Sequence, residues 1–209
     1  MEPIFQLDRD LIVIDVETTG VSIENSSIIQ LGAVMFSRNG GIVEDCQFSK
    51  FVKPYKDEWS LQAYTVHKID KEFLMTKGED IKNTLEHFNF WVALFGKSHN
   101  FFLSQWSASF DCTMLELAYN HCGMKYPFHH RVYDVASFVR LYLASQGKLK
   151  PRQNGLADCC EAFGLKIDND KCHDALYDAT ITALLLEKVT KEITANVLDK
   201  KHNTTIGSK

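Results

Sequence analysis

Leu11-Ile12-Val13-Ile14-Asp15-Val16-Glu17-Thr18-Thr19-Gly20 is the stretch on which the reading of this chain turns. Its apolar first half, closed by a Thr-Thr-Gly turn signal, has the pattern of a buried strand. Asp15 and Glu17 stand two apart at the strand's end. On a pleated strand, residues i and i+2 share a face, so both carboxylates point the same way. Side by side they repel each other. A solvated strand end has the same pattern. The pair also suits a hard divalent cation, because Mg²⁺ and Mn²⁺ prefer oxygen ligands.

Outward from this strand, Ile28 to Phe36 is a second apolar segment, and Asn39-Gly40-Gly41 is a hairpin signal. Ile42 to Val52 reads as the returning strand, closed by Pro54, so the chain opens with a three-stranded antiparallel meander. Helices are expected at Ser60 to His67, Lys71 to Met75 and Ile81 to Phe95. In the last of these, Ile81, Leu85, Phe88, Trp91, Val92 and Phe95 recur at helical spacing. A short strand is expected at Asn100 to Leu103, then a helix from Phe110 to about His121, capped by Ser109 and closed by Gly123. Val132-Tyr133 reads as a brief strand, followed by helices at Val135 to Ser145 and at Leu156 to Phe163, the latter ended by Gly164. Asp174 can cap a last helix, Ala175 to about Lys191, and from about Asn196 a frayed tail is expected. Residues 1–195 then form a single domain, with 196–209 as the tail. The order β-β-β-α-β-α-β-α indicates an α/β fold, a mixed sheet with helices on its faces.

The 209 residues suit one domain, and 45% hydrophobic content is enough for a core. A net charge of -4 removes the argument for nucleic-acid binding from charge alone. It does not exclude such a partner, since bound cations reverse the sign of an acidic site. The six cysteines are Cys46, Cys112, Cys122, Cys159, Cys160 and Cys172. The N-terminus lacks a basic start followed by a long apolar run, and no stretch approaches the ~20 apolar residues that span a bilayer. The thiols are therefore expected to be reduced, in an intracellular, cytoplasmic protein with no membrane contact. Cys159, Cys160, Cys172 and His173 do not make a zinc set, because the first two are adjacent and no clean four-ligand group appears.

Two further segments carry chemistry. Ser107-Ala108-Ser109-Phe110-Asp111 places Asp111 in the first turn of a helix, where the helix dipole stabilises an acid in any case. In His173-Asp174-Ala175-Leu176-Tyr177-Asp178, the cap at Asp174 puts Asp178 in the first turns and leaves His173 just outside the helix. Alone, each segment also fits a structural role.

Together and in this order, the three motifs resemble those of the DEDDh 3′–5′ exonucleases, the family of the proofreading subunit of bacterial DNA polymerase III and of ribonuclease T. Asp15-Val16-Glu17-Thr18-Thr19-Gly20 is similar to the first motif, Ser109-Phe110-Asp111 to the second, and His173 to Asp178 to the third. Ala63-x-x-Val66-His67-Lys68-Ile69 is similar to the family's segment between the third strand and the helices. The likeness covers about residues 8–190. One departure is Trp106-Ser107, where many relatives carry His-Asn, a position that shapes the nucleotide pocket.

The resemblance implies an RNase H-like fold, a five-stranded mixed sheet flanked by helices. It implies that Asp15, Glu17, Asp111 and Asp178 hold two Mg²⁺ or Mn²⁺ ions, with Asp15 bridging. His173 would be the general base, and a nucleoside 5′-monophosphate would leave a 3′ end. The backbone at Thr18 and Thr19 would contact the terminal nucleotide. His67 either stacks on or bonds to a base, or is a surface helix residue. Lys148, Lys150 and Arg152 either meet phosphates or form a solvated basic loop. The expected partner is the 3′ end of single-stranded DNA or RNA, with DNA slightly favoured. A homodimer or a polymerase or repair partner is left open. The competing reading is a catalytically silent RNase H-like module that binds nucleic acid or protein, and a test for shortening of a labelled oligonucleotide separates the two.

Overall fold

The structure, a computed structural model, describes residues 6–106, 110–150, 152 and 155–206. Five strands form one sheet: β1 (Leu11–Thr18), β2 (Ile28–Phe36), β3 (Ile42–Phe51), β4 (Phe102–Gln105) and β5 (Val132–Asp134). Their order is β3-β2-β1-β4-β5. β1, β2 and β3 make the antiparallel meander, while β4 and β5 run parallel to β1. Among the described residues the α-helices are α1 (Leu61–His67), α2 (Lys71–Lys77), α3 (Ile81–Ala93), α4 (Phe110–His121), α5 (Val135–Ser145), α6 (Leu156–Ala162) and α7 (Ala175–Ile206). This is the RNase H-like arrangement, a mixed five-stranded sheet flanked by helices.

Helices cover both faces, which is why β2 is buried along its whole length. Alternation along β1 divides the core. Ile12, Ile14 and Val16 face one apolar cluster, with Leu85 and Phe88 of α3 and Leu115 and Tyr119 of α4. Leu11 and Val13 face the other, with Val139 of α5, Cys160 of α6 and Leu185 and Val189 of α7. Asp15 and Glu17 continue the second face, at the carboxyl end of β1. In parallel sheets such ends, beside a reversal of strand order, are where ligands collect. Here the order reverses between β1 and β4.

Several boundaries moved from the sequence expectation. Asn100 closes a 3₁₀ turn, Ser98–Asn100, and the fourth strand runs two residues further than expected, to Gln105. Pairing of Leu11 with Phe102 and of Val13 with Ser104 holds it beside β1. The polar Ser104 and Gln105 tolerate burial because they are bonded: Ser104 Oγ donates to the Tyr133 carbonyl at 3.0 Å, and Gln105 Oε1 accepts the Cys112 N–H at 2.8 Å. The last helix, expected to fray from about residue 196, continues to Ile206, and no Gly or Pro interrupts the sequence before Gly207. The expected cap Ser109 and the loop residues Pro151, Gln153 and Asn154 lie outside the described residues.

Candidate active site

Burial and mutual repulsion act on the same small group of acids. Asp15 and Glu17 end β1 on one face. Asp111 opens α4, and its Oδ1 accepts the Val16 N–H at 3.1 Å, which ties the helix start to β1. Asp178 lies in the first turn of α7. That helix is capped as expected, Asp174 Oδ1 accepting the Tyr177 N–H at 3.0 Å. His173 stands just before the cap with φ of 66°, a left-handed backbone unusual for a side-chain-bearing residue. Its own N–H donates to Asp178 Oδ2 at 3.1 Å. Ligand atoms of Glu17, His173 and Asp178 lie within 4.8 Å of one another.

The charges confirm the crowding. Burial pushes the Asp15 carboxyl well above the usual carboxylate range, and Asp111, Glu17, Asp178 and Asp174 push it further. Asp15 keeps part of its surface accessible, yet protein atoms surround its carboxyl closely enough for burial to lead these causes. Glu17, only 9% exposed, is pushed up to about 9 by burial and then by Asp178, Asp111 and Asp174. Asp111 is raised to about 6, since burial outweighs the N–H bonds of Val16 and of Asp111 itself. Burial also raises Asp178, against the His173 N–H and the His173 ring, which lower it. Without cations the crowding and burial favour the protonated forms of these acids; divalent ions would displace protons and relieve the repulsion. The donor set, carboxylate oxygens with one imidazole beside them, fits Mg²⁺ or Mn²⁺.

The substrate-side expectations divide. The Thr18 hydroxyl donates to the Gly20 carbonyl at 2.7 Å, and Thr19 Oγ1 accepts the Ser27 N–H at 2.9 Å. Both side chains build the turn, and the Thr19 backbone is engaged as well, its N–H donating to the Ser27 carbonyl at 2.9 Å and its carbonyl accepting the Ser60 N–H at 2.7 Å. His67 is buried, not a surface helix residue. Its Nδ1 accepts the Ile69 N–H at 2.9 Å, while its Nε2 is buried with no partner. It shares a hollow of about 410 Å³ with His173, Asp174, Gln30 and Tyr177. Lys148 and Lys150 line a different hollow, between the end of α5 and α6, beside Asp158 and Glu161. The sequence reading missed Gln30, the one polar residue in β2. A polar side chain inside an otherwise apolar strand was the signal that could have found it.

The family model described as Exonuclease, that of the RNase T family, matches residues 12–186. Ribonuclease T of Buchnera aphidicola subsp. Baizongia pistaciae is 27% identical over 192 residues, covering 85% of this chain and 82% of that protein. The PolC-type DNA polymerase III of Staphylococcus epidermidis is 29% identical over 188 residues, covering 89% of this chain but 12% of the polymerase. Among solved structures, the nuclease domain of 3'hExo, a DEDDh family member bound to rAMP, aligns with a TM-score of 0.70 at 18% identity, covering 88% of this chain and 92% of that one. Exonuclease I of E. coli in complex with a dT13 oligonucleotide aligns with a TM-score of 0.74 at 15% identity, covering 92% of this chain and 43% of that one. These two share the fold. The chain belongs to the RNase T exonuclease family, of the DEDDh type.

Proposed function

We propose that this family member removes nucleoside 5′-monophosphates from the 3′ end of single-stranded or frayed nucleic acid by a two-metal mechanism, with DNA cut faster than RNA. The carrying observation is convergence: Asp15, Glu17, Asp111, His173 and Asp178 come from three distant parts of the chain and meet at the carboxyl end of β1. Membership of an exonuclease family supports the enzyme over a silent scaffold.

In this reading Asp15, Glu17, Asp111 and Asp178 would hold two Mg²⁺ or Mn²⁺ ions. The ions supply activation of the attacking water and charge stabilisation at the leaving oxygen. His173 accepts the proton of that water at its ring. Its exposure leaves room for this, and the bond from its N–H to Asp178 keeps it beside the acids. The backbone around Thr18 and Thr19 contacts the terminal nucleotide, and His67, which lines the hollow beside His173, stacks on or bonds to a base. The preference for DNA rests on the likeness of the first motif and of Val66-His67 to the proofreading branch. The relatives bound to rAMP and to a dT13 oligonucleotide leave both sugars within reach of this fold. Residues 1–195 make up the exonuclease unit, with its last helix running on to Ile206, and a homodimer or a polymerase or repair partner is left open. The six cysteines are free, and no described helix is long and apolar enough to cross a membrane, which fits an intracellular, cytoplasmic setting.

The test is incubation of the chain with matched 5′-labelled DNA and RNA oligonucleotides and Mn²⁺. Stepwise shortening with release of 5′-mononucleotides, faster on DNA, is expected. No shortening of either polymer across a range of metal and salt would overturn the reading; faster shortening of RNA would overturn the sugar preference.

A further inference from the structure

We propose that Gln30 is a positioning residue, which sets where His173 and Asp178 stand relative to Glu17; this rests on the exonuclease reading above. Gln30 is 1% exposed and lies directly opposite Glu17 in the pairing of β1 with β2. Its amide is used at both ends on the start of α7. Gln30 Oε1 accepts the Ala175 N–H at 3.2 Å, one of the N–H groups that a helix start leaves without an internal partner. Gln30 Nε2 donates to Asp174 Oδ2 at 2.7 Å. The other oxygen of Asp174 is occupied by the Tyr177 N–H, so the cap carboxylate is held from both sides.

The next residue on that face of β2 completes the mount. Gly32 pairs with Asp15, and a Cβ there would come within 2.2 Å of the Ala175 carbonyl carbon. The start of α7 therefore rests directly on β2, beside the two strand acids. His173, in its left-handed conformation, and Asp178 flank this seat on either side of Asp174. A strained residue persists only where its surroundings over-determine it, and the Gln30–Asp174 bond does so here.

Opposite an ionised Asp174, the amide supplies both the acceptor and the donor that this seat uses. A carboxylate at Gln30 would keep the acceptor for Ala175 but place two acceptors across the contact with Asp174. Asn at 174 would keep the cap but place two amide donors there. Changing both restores one donor and one acceptor, with the polarity reversed.

The test compares wild type, Gln30→Glu, Asp174→Asn and the double variant Gln30→Glu/Asp174→Asn. Measurements are kcat and KM on a 5′-labelled oligonucleotide well below the unfolding temperature, and Mn²⁺ binding followed by loss of the free-ion electron paramagnetic resonance signal. Positioning predicts that Gln30→Glu lowers kcat roughly tenfold or more, with KM little changed and Mn²⁺ binding weakened by a similar factor. The double variant should recover both to within about threefold of wild type, a non-additivity expected only of directly coupled groups. If Gln30→Glu does not fold, Asp174→Asn carries the same comparison against the double variant. A folded Gln30→Glu with wild-type kcat and Mn²⁺ binding, or a double variant as impaired as the product of the singles, overturns the proposal. A wild-type chain that shortens no oligonucleotide instead overturns the reading beneath it, and this one with it.

Discussion

The two halves of β1 lie on one strand, are both largely enclosed, and do opposite things. Leu11, Ile12, Val13 and Ile14 are each 0% exposed, and burying such side chains stabilises the fold by about 1.5–3 kcal/mol apiece. Two residues on, Asp15 and Glu17 occupy the same face as Leu11 and Val13. Burial there raises their carboxyl pKa values and works against the fold. The first half holds the sheet together, and the second crowds acidic groups whose charge is relieved by protons or by bound cations. Stability and chemistry are thus separated by a few ångströms along one backbone. The site exists because the apolar half and both core clusters offset its cost.

The strongest way to break this comparison is Asp15→Asn. It should abolish oligonucleotide shortening, yet raise the unfolding temperature of the metal-free chain, read by circular dichroism. Loss of stability in that variant would mean that the acids hold the fold together after all. The pH dependence sharpens the same point. Glu17 moves from its usual 4.5 to about 9, so between those values the folded chain retains a proton that the unfolded chain has released. The metal-free fold should therefore be favoured below about pH 4.5 as far as this group is concerned, and lose stability steadily as pH rises toward 9. Mn²⁺ should flatten that slope; a midpoint that rises over this range without metal would contradict it.

Next in size is His173→Ala, expected to lose roughly 10²–10³ in rate while still binding Mn²⁺, since a general base contributes on that order. Wild-type turnover would remove His173 from the role. Val13→Ala tests the other half of the strand. It should cost roughly 2 kcal/mol in urea unfolding and leave the activity per folded molecule unchanged. The smallest effect is expected from Lys148→Ala with Lys150→Ala, because these residues line a hollow that none of the site acids shares. A change in KM below about threefold at physiological salt is expected. A larger, salt-sensitive rise would bring that loop into the substrate path.

Much of this was legible in the chain. The apolar run at Leu11 to Ile14, the Asn39-Gly40-Gly41 hairpin and the helix at Val135 to Ser145 follow from side-chain period and turn chemistry, which are local. The acids were legible as motifs through their resemblance to the exonuclease family, which fixes a residue type at each of these positions. What escaped was long-range. Gln30 reads as a lone polar residue in β2, and its partner Asp174 lies 144 positions away. Ser104 and Gln105 lie beyond the strand expected from the sequence and join it through partners elsewhere in the chain. His67 reads equally as a base contact or as a surface helix residue. Its burial depends on where α1 lands beside the 170–177 segment.

By itself the sequence determined the kinds of element and their order, because these depend on residue type and near-neighbour spacing, and its resemblance to the exonuclease motifs singled out the five side chains proposed for the reaction. Only the tertiary structure decided that Asp15, Glu17, Asp111, His173 and Asp178 share one place, that His67 is enclosed, and that Lys148 and Lys150 line a different hollow. It also decided how the last helix is seated on Gln30 and Gly32. The physical reason is that repulsion among carboxylates, and a donor–acceptor pair spanning most of the chain, exist only once packing has closed the distance between them.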